Sequence, residues 1–533
     1  MMNTFVIKNK IVVRILFFCF LIFYTLGNLD AQIFGSQSLK FSKTLDYIQK
    51  YYVDSVDTEE LVEKAIVSML EDLDPHSNYL TAEEVKAMNE PLHGNFEGIG
   101  ISFNILNDTI LVISPISGGP SEKLGIRAGD RIIKIDGENV AGIGITNQDI
   151  FDRLRGEKGT RVTVTILRKG YDELLEFQIV RDKIPIFSLD AAYMINKNTG
   201  YIKLNRFAAT TVDEFEEALK DLREKNLKHL VLDLSGNGGG YMEEAIELAD
   251  HFLEKNKLIV YTEGLHTPKR EHDATSSGDF EDGKLIIIVD EGSASASEIV
   301  AGAIQDWDRG FIVGRRTFGK GLVQKPLYLH DGSMLRLTVA RYHTPTGRMI
   351  QKSYKNGVEE YEREILERFK RGENLSQKNN ELPDSLKYYT LKKNRIVYGG
   401  GGIMPDFFVP VDTSSYSDYY RELVRKGIIS RFILDYLDKN REKLLNEYND
   451  FDSFLRKFEI TESFFNDFLA YAESEKVEKD EDALEKSGND IKMLLKAYIA
   501  RDIWNTSAFF QVYNTTNPAL DKAVEIFNDW DKY

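Results

Sequence analysis

The pattern of hydrophobic positions changes three times along the chain. In residues 38–89 apolar side chains recur every three or four positions, which predicts amphipathic helices. Residues 94–182 contain short strand-like runs separated by glycines, which predicts a compact β-rich module. In residues 184–350 such runs alternate with amphipathic helices, a pattern typical of a central sheet covered by helices. From Ser415 onwards the periodicity is helical again, and Phe and Tyr are frequent.

These changes predict an α/β multidomain protein. Its predicted parts are a signal peptide (1–31), a helical N-terminal region (36–93), the β-rich domain (94–182), an α/β core (183–353 and 398–412), a charged linker or surface excursion (354–397) and a helical C-terminal region (415–533). The aromatic residues of the C-terminal region fit two roles equally well. They would form a homodimer interface or a cap packed on the core.

The N-terminus is predicted to be a targeting signal. Lys8, Lys10 and Arg14 precede a short apolar run over residues 15–24, and small or polar residues follow it. The apolar run is shorter than the roughly 20 residues that span a membrane, so it fits a secretory signal. We expect cleavage after Ala31. The protein is therefore predicted to be exported, to a bacterial periplasm or cell envelope. An uncleaved signal would tether it to the membrane.

Composition excludes several functional classes. The chain has 68 Lys and Arg against 85 Asp and Glu, a net charge of −17, so its surface should repel nucleic acid. Its single cysteine, Cys19, lies in the apolar N-terminal run, which excludes disulfides, cysteine metal sites and a cysteine nucleophile elsewhere. There is no His-Glu-x-x-His motif and no Gly-x-Ser-x-Gly elbow. No metal and no organic cofactor is predicted.

Three glycine- or serine-rich turns carry candidate chemistry. Residues 231–240 form a buried strand that enters a glycine turn, where backbone N–H groups can point outward to hold an oxyanion. Residues 290–299 place serines at the head of a helix, near the positive end of its dipole. In the third turn Lys320 lies between two glycines before an apolar stretch, so burial would lower its pKa and make a neutral general base. Each turn alone also fits a purely structural role.

Taken together, the three turns resemble the C-terminal processing peptidases, also called tail-specific proteases or the S41 family. The matching runs are Leu-Asp-Leu-Ser-Gly-Asn-Gly-Gly-Gly (232–240), Glu-Gly-Ser-Ala-Ser-Ala-Ser-Glu-Ile (291–299) and Thr-Phe-Gly-Lys-Gly-Leu-Val-Gln (317–324). The resemblance covers about residues 38–412 and implies a protease core of the ClpP/crotonase-like type. The chain departs from the family pattern at Ser235, where an arginine is usual, and at Gly238, where a proline is usual.

The resemblance implies a catalytic role for six residues. Ser295 would be the nucleophile and Lys320 the general base, because their separation of 320 − 295 = 25 positions matches the family when the middle serine is chosen. Gln324, one helical turn beyond the lysine, would orient the lysine amine. The oxyanion hole would be formed by the backbone N–H groups of Ala296 and of Gly239 or Gly240.

In the same family the block that corresponds to residues 94–182 is a PDZ domain. For this chain the resemblance therefore implies peptide binding. The expected carboxylate-binding loop contains four residues, Gly98, Ile99, Gly100 and Ile101. Its N–H groups would hold a terminal carboxylate while the peptide adds a strand to the sheet edge. The predicted partners are therefore proteins or peptides recognised by their C-termini.

The sequence thus predicts an exported serine endopeptidase that uses a Ser–Lys dyad oriented by a glutamine. The alternative is a catalytically inactive PDZ protein that binds peptides on a protease scaffold. An inactive relative would be expected to lose the serine, the lysine or the glutamine, and all three are present.

Overall fold

The computed structural model describes residues 35–376, 382–413 and 415–533, so the predicted signal peptide lies outside the described residues. The chain divides into two compact units, one that ends at Leu73 and one that runs from Asp74 to Tyr533. The first contains helices α1 (Ser36–Tyr51) and α2 (Thr58–Glu71). Within the described part of the chain, no helix combines the length and apolar character needed to cross a membrane.

The second unit opens with a short strand and a capped helix. These are β1 (Asn78–Leu80) and α3 (Ala82–Leu92). Helix α3 starts where it does because Thr81 and Glu84 form a capping box, in which each side chain bonds the backbone N–H of the other residue. The last turn of α3 lines a cavity that Ser295 and Lys320 also line.

The β-rich block forms the predicted module. Its elements are β2 (Asn95–Gly98), β3 (Ile101–Ile105), β4 (Ile110–Pro115), α4 (Pro120–Lys123), β5 (Arg131–Ile135), β6 (Glu138–Asn139), α5 (Asn147–Leu154), β7 (Arg161–Leu167), β8 (Leu175–Val180) and β9 (Asp182–Pro185). The sheet runs β3-β4-β5-β7-β8, with β6 paired to β5. Strand β3 therefore lies at a sheet edge. In β7, residues Val162, Val164 and Ile166 are buried and alternate with more exposed neighbours, as one-sided packing requires.

The α/β core follows. Its elements are β10 (Leu189–Met194), β11 (Thr199–Leu204), α6 (Thr211–Glu224), β12 (His229–Asp233), α7 (Met242–Asp250), β13 (Leu258–Gly264), β14 (Thr267–Asp273), β15 (Lys284–Val289), α8 (Ala296–Asp306), β16 (Phe311–Gly314), β17 (Leu322–Tyr328) and β18 (Met334–His343). Residues 285–289 of β15 are all buried. A strand covered on both faces by other elements has no polar face, which explains its unbroken apolar run.

The described parts of residues 354–397 form regular secondary structure, so the expectation of a charged linker was wrong and that of a surface excursion remains. The segment contains α9 (Val358–Lys370), β19 (Lys387–Tyr389) and β20 (Ile396–Tyr398), and β21 (Phe407–Phe408) follows it. Arg368 is only 1% exposed, and its guanidinium donates to the carbonyl of Thr317 over 2.7 Å. The charges of this excursion are therefore partly buried, where they support the turn that carries Lys320.

Two sheets frame the site. The main sheet runs β10-β11-β12-β15-β16-β21 and is parallel from β11 to β21. A second, antiparallel sheet runs β1-β18-β13-β14, with β17 also paired to β18. Helices α6, α7 and α8 cover one face of the main sheet. Because parallel strands end at the same edge, the turns after β12 and β15 lie next to each other.

The C-terminal region is helical. Its helices are α10 (Asp418–Arg425), α11 (Ile428–Glu447), α12 (Phe451–Lys457), α13 (Glu462–Ser474), α14 (Glu481–Ile503), α15 (Thr506–Tyr513) and α16 (Pro518–Asn528). Aromatic residues such as Phe454 and Phe468 are fully buried in a core of their own. Helix α16 packs Ile526 and Phe527 on the second face of the main sheet. Of the two roles considered for these aromatic residues, the structure shows core packing.

The helical region also contacts the β-rich module. Asp438 on α11 pairs with Arg131 on β5 over 2.8 Å, and both side chains are about three-quarters shielded from solvent. The region thus packs on the outer face of the main sheet through α16 and contacts the β-rich module through α11.

Candidate active site

A cavity of about 610 Å³ opens beside the carboxyl ends of β12 and β15. Its walls come from α3, the turn after β12, the start of α8, and strands β17 and β18. The lining includes all six residues predicted for catalysis: Gly239, Gly240, Ser295, Ala296, Lys320 and Gln324. Three turns that are distant in sequence therefore meet at one concave site.

Ser295 lies at the head of α8 in an unusual backbone conformation. Its φ is +55° and its ψ is −111°, a region that a residue with a side chain adopts only under constraint from its surroundings. The neighbouring serines have other partners. Ser293 donates to the carbonyl of Leu234 over 2.7 Å, and Ser297 donates to the carbonyl of Asn237 over 2.9 Å. Both are fully buried. Of the three serines, Ser295 is the one that lines the cavity.

The glycine turn approaches Ser295 closely. Gly239 has φ +101°, and a Cβ built on it would lie 2.9 Å from the Ser295 Cβ and 2.9 Å from the Ala294 carbonyl oxygen. Its N–H donates to Asn237 Oδ1 over 2.9 Å. A parallel bridge to Phe207 uses the Gly239 carbonyl and the Tyr241 amide, so it does not consume the Gly240 N–H. Of the two glycines considered, Gly240 is thus better placed to donate to a bound oxyanion.

Ser235, which stands where the family usually has an arginine, is supported by a lysine. The Lys203 amine on β11 lies 2.9 Å from the Ser235 carbonyl oxygen and 3.4 Å from an Asp233 carboxylate oxygen. The Ser235 hydroxyl donates to the same carboxylate over 2.6 Å. A cation from a neighbouring strand therefore anchors this turn.

Gly239→Ala is expected to lower kcat/KM at least about 100-fold, because the added methyl group would displace Ser295 by several tenths of an ångström. Gly238→Ala is the matched control: Gly238 has an ordinary φ, and a Cβ there meets nothing within 4 Å. Peptide cleavage by the two variants measures the difference. Equal activities would show that the close approach of Gly239 has no catalytic importance.

A buried carboxylate joins the turns that carry Ser295 and Lys320. Glu298 on α8 is fully buried and accepts from the Ser295 N–H over 2.9 Å and from the Lys320 N–H over 2.8 Å. It also accepts from the Gly319 N–H and the Thr317 hydroxyl. One side chain thereby fixes the backbone on both sides of the cavity.

Lys320 is placed in a poorly solvated environment. Burial, together with the nearby Arg336 guanidinium, lowers the pKa of Lys320 to about 8, although Glu298 and Asp74 oppose the shift. Its carbonyl oxygen lies 2.5 Å from the Tyr342 hydroxyl, which also lies 3.1 Å from the Ser295 carbonyl oxygen. A substantial fraction of Lys320 is therefore neutral near pH 8 and can accept a proton.

Gln324 lies on strand β17, so the expectation that it sits one helical turn beyond Lys320 was wrong. The β17–β18 register shifts between Val323 and Gln324, and such irregularities re-aim side chains. The Gln324 amide nitrogen donates to the Thr338 hydroxyl over 3.3 Å, and that hydroxyl donates to Asp74 over 3.0 Å. Sequence reasoning missed Thr338 and Asp74, although the Asp-Pro-His-Ser turn (74–77) was a visible signal.

His76 has a structural environment. Its Nε2 lies 2.7 Å from the Tyr361 hydroxyl, and the residue is absent from the cavity lining. Burial and the positive charge of Lys320 lower the pKa of His76 to about 4. The ring is therefore neutral at neutral pH.

The predicted carboxylate-binding loop is separate from the cavity. Its residues Gly98, Ile99, Gly100 and Ile101 connect β2 to the edge strand β3 and do not line the cavity. The Ile99 carbonyl accepts from the Ser121 hydroxyl over 2.6 Å, and Gly100 has φ +75°. The Ser121 bond and the positive φ of Gly100 hold this loop next to the open edge of the sheet at β3.

Comparison with known proteins places the chain in a family. A model of peptidase family S41 matches residues 198–360, and a PDZ domain model matches residues 111–168. A carboxy-terminal-processing protease of Bartonella bacilliformis is 40% identical over 320 residues, 59% of this chain and 73% of that protein. The chain belongs to peptidase family S41. It is therefore a protease with a PDZ domain.

Other known proteins are similar to parts of the chain. The carboxy-terminal processing protease CtpA of Bacillus subtilis is 35% identical over 61% of this S41 peptidase and 69% of the relative. A photosystem II D1 C-terminal processing protease of known structure is 26% identical, with a TM-score of 0.36 over 71% of this chain and 94% of that one. Residues 28–84 match the N-terminal domain of the activating protease CtpB, and residues 419–505 match a family of unknown function.

Proposed function

We propose that this S41 peptidase is a serine endopeptidase whose nucleophile is Ser295 and whose general base is Lys320. The observation that supports this most directly is their shared cavity, in which Ser295 is held at a positive φ and Lys320 has a pKa of about 8. Glu298 keeps both backbones in place by accepting from the N–H of each residue. Nucleophile, base and support therefore belong to one site.

In the proposed reaction, neutral Lys320 accepts the proton of the Ser295 hydroxyl while Oγ attacks the peptide carbonyl carbon. The tetrahedral oxyanion binds the N–H groups of Ala296 and Gly240. Ala296 is the first residue of α8, so its N–H has no intrahelical acceptor. Lys320 then protonates the leaving amine, and the C–N bond breaks to give an acyl-enzyme. Lys320 then accepts a proton from water as the water oxygen attacks the acyl carbon, and returns it to Ser295 Oγ as the ester bond breaks.

Gln324 is proposed to orient the amine of Lys320. Its side chain lines the cavity and is anchored through Thr338 to Asp74. A fixed amide can accept from an N–H of the lysine amine with its carbonyl oxygen and so restrict the rotamers of the lysine.

Substrates are proposed to be proteins recognised by their C-termini. The edge strand β3 and the loop before it fit addition of a peptide strand, with the terminal carboxylate on the loop N–H groups. The names of the relatives from Bartonella bacilliformis and Bacillus subtilis describe carboxy-terminal processing. Export to the periplasm or cell envelope is proposed from the basic and apolar N-terminal run.

The test is cleavage of an unstructured protein with an apolar C-terminus by residues 32–533. Ser295→Ala should abolish cleavage and keep binding of the C-terminal peptide. Ser297→Ala is the matched control, since that hydroxyl is buried against the Asn237 carbonyl, and it should retain most activity. If the wild type binds the peptide without cleaving it, the alternative of an inactive PDZ binding protein is correct.

A further inference from the structure

Arg336 on β18 lines the cavity together with Ser295 and Lys320, and sequence reasoning assigned it no role. Within the described residues its only hydrogen-bond partner is the Met88 sulfur at 3.6 Å, a weak acceptor. Its Nε is buried and has no hydrogen-bond partner in the part of the chain that the structure describes. No carboxylate of the described chain forms an ion pair with it.

Other largely shielded arginines of this peptidase have oxygen acceptors. Arg309 and Arg441 donate to backbone carbonyls, and others pair with acids. Arg348 lies 2.7 Å from Asp306, and Arg316 lies 3.3 Å from Glu373. These pairs follow the general rule that a buried charge is compensated by an opposite charge or by hydrogen bonds. Arg336 departs from that rule, although the chain carries a net charge of −17 and has many acidic residues to offer.

The charge balance of the cavity makes Arg336 important. The charged side chains of its lining are Glu243, Lys320 and Arg336. Lys320 is partly neutral at pH 8, whereas a guanidinium stays protonated. Arg336 is therefore the permanent cation of the site, and its fork of N–H groups matches the two oxygens of a carboxylate.

We propose that Arg336 binds a carboxylate of the substrate inside the cavity and so makes the peptidase favour bonds near an acidic group. This rests on the proposed function of Ser295 and Lys320. This carboxylate would come from one of two parts of the substrate. It is either an Asp or Glu side chain near the cleaved bond or the free C-terminus of a short tail.

A second effect of Arg336 must be separated from specificity. The charged and titratable groups that face Lys320 are Arg336 from β18, Glu298 from α8, and Asp74 and His76 from the turn before β1. Removing the positive charge of Arg336 raises the pKa of Lys320, which slows cleavage of every substrate below the new pKa. Specificity is therefore measured as a ratio between two substrates, in which this common effect cancels.

The test uses one peptide sequence in matched forms. One pair has Glu or Gln near the cleaved bond, and the other has a free or an amidated C-terminus. In the wild type we expect kcat/KM to favour the carboxylate member of at least one pair by about tenfold or more, as for a charge-assisted hydrogen bond. Arg336→Gln should reduce that ratio to about 1, and Arg336→Lys should keep part of it because the charge remains.

Two results would overturn the proposal. In the first, the wild type cleaves both members of each pair with equal kcat/KM. In the second, the kcat/KM ratio within a pair is the same in Arg336→Gln as in the wild type. A C-terminal preference that survives belongs to the PDZ loop. Thermal unfolding verifies that each variant is folded. Binding of the same peptides to Ser295→Ala and to Ser295→Ala/Arg336→Gln tests Arg336 without turnover, so a failure of the proposed chemistry is distinguishable from a failure of this inference.

Discussion

Lys320→Met is expected to lower kcat/KM by at least about 10³-fold, because loss of a general base in a Ser–base unit removes nearly all acceleration of the chemical step. Methionine nearly matches the length of the lysine stem and fits a poorly solvated site. The loss is measured as the ratio of the wild-type kcat/KM to that of the variant for one peptide, at a pH where the wild-type activity has levelled off. Retention of more than a tenth of the activity would exclude Lys320 as the base.

Lys320→Arg is the control that separates a base from a positive charge. It keeps a cation of similar length, but a guanidinium does not give up its proton in this pH range. We expect the arginine variant to be as inactive as the methionine variant. Substantial activity in Lys320→Arg would indicate that Lys320 acts through its charge.

The pH profile follows from the same residue. The base must be neutral, and the pKa of Lys320 is lowered to about 8. The wild-type kcat/KM should therefore rise as the pH increases through about 8 and level off above it, since this ratio reports ionisation of the free enzyme. A flat profile between pH 6 and 10 would contradict the assignment.

Glu298→Ala is expected to damage both stability and catalysis. The substitution leaves the N–H groups of Ser295, Gly319 and Lys320 without their acceptor in a buried site. Each unsatisfied buried donor costs about 1–3 kcal/mol, so the protein should lose on the order of 3 kcal/mol or more of unfolding free energy. Ser295 and Lys320 would also lose their common support, and kcat/KM should fall at least about 100-fold, as for other misplaced catalytic groups.

Glu298→Gln separates shape from hydrogen bonding. The amide has nearly the same volume, but only one of its two terminal atoms is an acceptor. We expect a urea midpoint and an activity between those of the wild type and Glu298→Ala. A midpoint for Glu298→Ala equal to that of the wild type would contradict the structural role of this carboxylate.

Local sequence patterns determined much of this protein. The periodicity of apolar positions identified the β-rich module, the α/β core and the helical C-terminal region, because alternation and helical spacing depend on neighbours along the chain. The turns that contain Gly239, Ser295 and Lys320 were also visible. Their glycines and small residues are required by backbone geometry, which is a local property.

The tertiary structure decided what depends on distant partners. Gln324 was expected on a helix and lies on β17, because pairing with β18 fixes its backbone. The Glu298 bonds to Gly319 and Lys320 span 21 and 22 positions, and no periodic signal marks them. The burial of C-terminal aromatic residues such as Phe454 and Phe468 among neighbouring helices is visible only in the fold.

Arg336 shows the same limit most clearly. In the sequence it is one polar residue of a strand, indistinguishable from a solvent-exposed position. Only the fold reveals that its guanidinium lines the cavity and that no acid among the described residues pairs with it. Sequence patterns record which side of an element a residue occupies, whereas charge compensation depends on three-dimensional neighbours. The sequence by itself therefore determined the elements and the reactive turns, and the tertiary structure decided how those turns are held and which charges face the substrate.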